Sequence, residues 1–200
     1  MDFGPIFEAF FGQNEDQGLK MRESLLQSLS KDPSLKAVDS DLEHLLASWF
    51  NPGFLRLDQV SWESPAGLLE QIIQHEAVHE IDGWADLRRR LEPDRRLFAF
   101  FHPALPKEPL IFVEIALLHE MPQSIAPLLD RKSMSEPSTK PYKVAAFYSI
   151  SNCQPGLKGV HLGNFLIKQV AEALKLEFPE IRQFCTLSPI PGFLRWLLAN

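Results

Sequence analysis

Two hundred residues, 45% of them apolar, suffice for one ordinary domain, or for a domain with a helical appendage. A formal net charge of −6 excludes a reader of nucleic-acid phosphates, whose lysines and arginines would dominate. No apolar run reaches the roughly 20 residues that span a bilayer, the start Met-Asp-Phe-Gly-Pro lacks the order of a signal peptide, and two cysteines, Cys153 and Cys185, are too few for a disulfide framework, so a cytoplasmic protein without membrane or nucleic-acid partners is expected.

Phe3, Ile6, Phe7, Phe10 and Phe11, set among Gly, Asn and acidic residues, read as a short core-packing helix within residues 1–20. Two helices follow, over Met21–Leu29 and Pro33–Phe50. Asp32-Pro33 caps the second, and Val38, Leu42, Leu45, Leu46 and Trp49 form its apolar stripe. Asn51-Pro-Gly ends it and marks the boundary between a helical segment, 1–52, and the remainder, 53–200. Ser64-Pro65 opens a third helix with Leu68, Leu69, Ile72 and Ile73 on one side, running to Asp82-Gly83. A fourth, Trp84–Leu91, turns Trp84, Leu87 and Leu91 inward.

Leu97–Phe101 and Leu110–Leu118 read as an antiparallel strand pair, joined by a loop too proline-rich for a tight turn. Residues 119–142 read as a short helix near Ile125–Leu129 and a mobile loop. The run from Val144 to Ile150 suits a buried strand. Gly156, Gly159 and Gly163 then lead into a helix carrying Leu162, Phe165, Leu166, Val170, Ala173 and Leu174 at helical spacing. Arg182–Leu187 reads as a strand and Pro191–Leu198 as the start of a last helix. The fold class is α+β: helical first, then a mixed sheet with flanking helices.

Three groups invite chemistry. His75-Glu-Ala-Val-His79 has the zincin spacing, two imidazoles one helical turn apart with Glu76 as base, although the longer motif fails at Asp82 and Ala85 and third ligands such as Glu108 or Glu114 rest on sequence distance alone. The plainer reading is that His79 ends a helix. Arg88, Arg89, Arg90, Arg95 and Arg96 could collect phosphates, but a charge run at a helix end is more simply solvated. Cys153 lacks a visible base and reads as a small, partly buried thiol.

The junction after the Val144–Ile150 strand is chemically the richest. A helix start leaves backbone N–H groups unpaired at the positive end of its dipole, glycines let that backbone meet a ligand, and Lys158 adds charge. The glycine spacing matches neither the P-loop nor the dinucleotide fingerprint. The segment Lys158-Gly159-Val160-His161-Leu162-Gly163 instead resembles the pyrophosphate loop of the GNAT-type acyl-CoA superfamily, with Lys and His replacing the usual first and fourth residues. Together with Phe147-Tyr-Ser-Ile-Ser, Asn164-Phe-Leu-Ile-Lys-Gln-Val, Thr186-Leu-Ser-Pro-Ile-Pro-Gly-Phe193, Glu76-Ala-Val-His-Glu-Ile-x-Gly-Trp84, Asp86-Leu-Arg-Arg-Arg-Leu91 and Phe98-Ala-Phe-Phe-His-Pro-Ala-Leu105, it resembles the malonyl-CoA decarboxylase family, from about Asp41 onward.

That resemblance implies a partial GNAT-like catalytic domain over 53–200, preceded by the end of a helical domain that also serves homo-oligomerisation. It implies malonyl-CoA as substrate, with no cofactor and no metal. Ser188, which alone would be read as a helix cap, is assigned to the malonyl carboxylate. Ser149, which as an alternating strand residue would simply pack, is assigned to the thioester region. Lys158, Gly159, Val160, His161, Leu162, Gly163 and Asn164 are assigned to CoA. The family's proton donor is a histidine in a downstream Asn-Pro-x-x-x-Phe-His motif that this sequence lacks, so a truncated, feeble decarboxylase is expected of this polypeptide alone. The alternatives are a GNAT-type acyl-CoA N-acyltransferase, a non-catalytic CoA-binding or assembly fragment, and a zinc hydrolase using His75, Glu76 and His79.

Overall fold

The computed structural model describes residues 4–6, 14–130, 140–190 and 192–199. Phe3, Phe7, Phe10, Phe11 and the expected mobile loop at 131–139 lie outside them. Helix α1 spans Glu15–Ser28 and α2 spans Lys36–Trp49. The earlier start of α1 places Glu15 and Asp16 at the positive end of its dipole. Asp32 accepts from the Ser34 amide at 3.0 Å and Pro33 occupies the first position of a 3-10 turn, Pro33–Leu35, that leads into α2. Asn51 stops α2 by accepting from the Gly53 amide.

The sheet runs β1 (Arg56–Val60), β2 (Arg95–Phe101), β3 (Ile111–Leu118), β4 (Val144–Asn152) and β5 (Gln183–Thr186), in that spatial order. The first four strands are antiparallel neighbours, whereas β5 lies parallel to β4 after the crossover helix α6 (Gly163–Glu177). On one face Phe98, Phe100, Val113, Ile115 and Phe147 pack against Leu166, Val170 and Leu174 of α6, together with Leu19, Leu46 and Phe50 from the first two helices. The opposite face packs Leu97, Ala99, Phe101 and Phe112 beneath α3 (Ala66–His75) and α4 (Gly83–Arg90), and Ala116, Ala146 and Tyr148 beneath α5 (Ala126–Leu129). Both faces of β2 and β3 are covered, which explains their near-continuous apolar runs. A last helix, α7, covers Phe193–Ala199. The α+β expectation holds, and among the described residues no helix is long and apolar enough to cross a membrane.

Four local expectations need correction. Ser64 closes a turn by accepting from the Ser61 amide instead of capping α3. The α3 helix ends at His75, not at Asp82, because Glu76 is extended and its carboxylate takes the Val78 and His79 amides that a continuing helix would need. The imidazoles of His75 and His79 therefore do not face one another across a helical turn, and the zincin geometry is not formed. Trp84 points outward, edge-on to Trp62, while Arg88 lies over the Trp62 ring.

The expected solvated arginine run is the fourth. Arg89, Arg90 and Arg95 are buried. Arg89 pairs with Asp94 and Glu92, Arg95 with Asp94, and Arg90 with Asp86 and Glu114. Glu114 stands in the middle of β3 with no exposed surface; its burial, opposed by Arg90, pushes the carboxyl up to about 7.

Candidate functional site

After β4 the chain makes a 3-10 turn, Pro155–Leu157, and reaches α6 through residues 158–162. Gly159 has φ +93°, a conformation that favours glycine, and Leu162 is buried in the main core, anchoring the start of the helix. Among the described residues nothing accepts from the amides of Gly163, Asn164 or Phe165, and a Cβ at Gly163 would meet nothing within 4 Å. The positive end of α6 is therefore open. Lys158, His161 and Asn164 are exposed around it, and a cleft of about 440 Å³ lies beside Asn152, Gln154, Lys158 and Gly159. Gly156 serves a different purpose from the one expected: a Cβ there would sit 2.4 Å from the Leu19 carbonyl oxygen, so this glycine lets the loop rest on α1.

The middle of β4 contains a β-bulge. Phe147 pairs with Ile115 and Ser149 with Glu114, leaving Tyr148 as the extra residue. Phe147 and Ile150 pack on the α6 side, while Tyr148, Ser149 and Ser151 all serve the other face. There the Glu76 carboxylate accepts from Ser149 Oγ at 2.6 Å and Ser151 Oγ at 3.0 Å, and also from the Val78 and His79 amides. Ser151 in turn accepts from the Ala77 amide. Ser149 is thus buried as a partner of Glu76, which the alternating-strand reading missed because nothing in Phe147–Ser151 marks a bulge. Cys153 extends the ladder between β4 and β3: its amide donates to the Leu110 carbonyl, so by alternation the amides of Ser149 and Ser151 face β3 and that of Ile150 faces the β5 side. Pairing with β5 ends at Phe147 and Thr186, so the last five residues of β4, about 17 Å at the usual rise, continue past it. The Cys153 thiol is buried, and that burial raises its pKa, which suits a packed thiol instead of a nucleophile.

Ser188 is exposed two residues beyond β5 and five before α7, so it does not cap that helix. It lines a cleft of about 310 Å³ with His79, Ile125, Thr186, Leu187 and Pro189. His79 Nε2 is buried with no hydrogen-bond partner among the described residues, and burial holds the imidazole below its ordinary pKa, keeping it neutral at pH 7. Segment 76–79 therefore bears on both predicted serine positions: its carboxylate holds Ser149 and its histidine lines the cleft that Ser188 also lines. Sequence reasoning read that segment as a metal motif, as a helix end and as part of the family resemblance, but gave it no role beside the serines. The Ser188 cleft and the loop cleft share no lining residue, but both follow the carboxyl ends of parallel neighbours, the usual place for a ligand in such a sheet.

Comparison with known proteins brings two family matches. The malonyl-CoA decarboxylase C-terminal domain matches residues 53–200 and the malonyl-CoA decarboxylase N-terminal domain matches residues 16–50. The mitochondrial malonyl-CoA decarboxylase of Anser anser anser is 41% identical over 185 residues, covering 90% of this chain and 37% of the relative; that of Rattus norvegicus is 40% identical over the same length, covering 90% and 38%. The crystal structure of malonyl-CoA decarboxylase from Agrobacterium vitis aligns with a TM-score of 0.83 at 54% identity, over 90% of this chain and 44% of that one. The Rhodopseudomonas palustris structure gives 0.85 at 51%, over 92% and 45%. The chain thus spans less than half the length of these relatives.

Proposed function

The chain belongs to the malonyl-CoA decarboxylase family, and on that premise we propose that it binds malonyl-CoA for conversion to acetyl-CoA and CO2, with residues 1–52 as a helical segment and 53–200 as part of the catalytic domain. One observation carries the reading: three amides with no acceptor among the described residues, at Gly163, Asn164 and Phe165, start the helix that follows β4, at the same end of the sheet where Ser188 follows β5. The diphosphate of CoA takes those amides, with Lys158 adding charge. The pantetheine arm lies along the stretch of β4 beyond its pairing with β5, a row of backbone groups that an extended amide chain can use.

Loss of CO2 leaves an enolate, so the site must orient the carboxylate, stabilise negative charge on the thioester oxygen and supply a proton. In this reading Ser188 Oγ donates to the carboxylate and the Ile150 amide donates to the thioester oxygen. Ser149 contributes by fixing the strand through Glu76, since its proton is already committed. No separate cofactor enters this chemistry, because CoA arrives with the substrate; extensive dialysis against a chelator should leave binding unchanged. Cytoplasmic residence and self-association belong to the same proposal, the former supported by two unpaired thiols and tested by cell fractionation, the latter by sedimentation.

The direct test is calorimetric titration of this chain with malonyl-CoA and CoA. Saturable binding that Gly163→Asp abolishes supports the proposal, and no binding by the unmodified chain sinks it. Decarboxylation measured on this chain and on a longer one carrying the Asn-Pro-x-x-x-Phe-His motif then separates binding from turnover, since a general acid contributes about 10² to 10⁴-fold.

A further inference from the structure

Arg22 lies on α1, distant in sequence from the glycine loop, yet its guanidinium is almost wholly buried against it. Nη1 donates to the Gly156 carbonyl at 2.9 Å and to the Lys158 carbonyl at 2.7 Å. Nε donates to Asp39 at 2.9 Å and Nη2 to Glu43 at 2.8 Å, two carboxylates one turn apart on α2. A single planar cation therefore ties two helices to two carbonyls of one loop, a fork that lysine cannot reproduce. The glycines fit the same arrangement: Gly156 lies against the Leu19 backbone, and a Cβ at Gly159 would come within 2.7 Å of the Glu43 carboxylate.

We propose that Arg22 is a positioning residue for the CoA diphosphate, acting through the loop. This rests on the assignment of the open α6 end to that diphosphate. Residues 156–159 are held by Arg22 and the α1–α2 pair, and residues 160–162 carry that fixed geometry to the free amides at Gly163, Asn164 and Phe165. The loop is ordered before ligand arrives, so binding need not supply the ordering free energy. The helical segment thereby acquires a role at the site beyond filling the core with Leu19, Leu46 and Phe50.

The test compares CoA affinity, by calorimetry, for the unmodified chain, Arg22→Ala, Arg22→Lys and Gly163→Asp, with hydrogen exchange read over the loop and over β2–β3 as a reference. The expected result is folded Arg22 variants with CoA affinity reduced about tenfold or more and faster exchange confined to residues 156–165. Millimolar guanidinium should restore part of the affinity of Arg22→Ala, which a general loss of stability would not allow. If Gly163→Asp weakens CoA and the Arg22 variants do not, the positioning role fails while the loop assignment stands. If Gly163→Asp binds CoA normally, the loop assignment fails and takes this inference with it. If neither Arg22 variant folds, Arg22 is a folding residue and the positioning role is overturned.

Discussion

Replacing Glu76 with alanine removes the acceptor for four donors at once: two serine hydroxyls and two backbone amides. The Val78 and His79 amides lie in a half-buried segment where water can replace the carboxylate, so their loss is small. The hydroxyls of Ser149 and Ser151 are buried, with only each other as a poor substitute at 3.4 Å. At about 1–3 kcal/mol for each of the two stranded hydroxyls, Glu76→Ala should destabilise the chain by about 2–6 kcal/mol, or roughly 4–24 °C in Tm for a chain of this size. Glu76→Gln keeps one acceptor oxygen and should cost about 1–2 kcal/mol. The triple variant Glu76→Ala, Ser149→Ala, Ser151→Ala removes donors and acceptor together and should recover more than half of the loss. Urea unfolding followed by circular dichroism gives all three values. A Glu76→Ala cost below about 1 kcal/mol, or single-variant costs that simply add, would refute the account of Glu76 as the shared acceptor of both serines.

Gly163→Asp sets a carboxylate roughly 5 Å from a bound diphosphate; at an effective dielectric of about 20 this costs about 3 kcal/mol, or about 100-fold in the Kd for CoA by calorimetry. Ser188→Ala should leave Tm unchanged, because the hydroxyl is exposed, while lowering the preference for malonyl-CoA over acetyl-CoA about tenfold in competition binding. Glu114 has a folded pKa of about 7 against 4.5, so its contribution to stability is present below pH 4.5 and lost as pH rises through 7; between pH 5 and 8 the unmodified chain should lose about 2–3 kcal/mol relative to Glu114→Gln in urea unfolding. Gly156→Ala forces a methyl group into the Leu19 carbonyl and should destabilise by about 1–3 kcal/mol, read as a fall in Tm.

The elements most legible in the sequence were those with long apolar runs or clear capping, namely β2, β3, β4, α2 and α6. β1 was missed because Arg-Leu-Asp-Gln-Val is a short, polar edge strand with half-exposed side chains, which resembles a loop. The end of α3 was missed because it depends on where the Glu76 carboxylate goes, and the two serines that hold it are more than seventy residues away. The buried arginines looked solvated because their carboxylates come from α4, the α4–β2 turn and β3. One signal was present: a lone glutamate within Ile111–Leu118 needs a cation nearby if that strand is central. The serines and the loop were expected from family resemblance alone, whereas the place of residues 76–79 between Ser149 and the Ser188 cleft emerges only in the folded structure.

The extra residue at Tyr148 lets two neighbouring side chains, Tyr148 and Ser149, face the same side of the sheet. Deleting Tyr148 would restore plain alternation, with Ser149 and Ser151 still toward Glu76 and Ile150 still toward α6, at the loss of the ring that packs beneath α5. Among related chains that lack the bulge, the two serines should therefore still face the residue that matches Glu76.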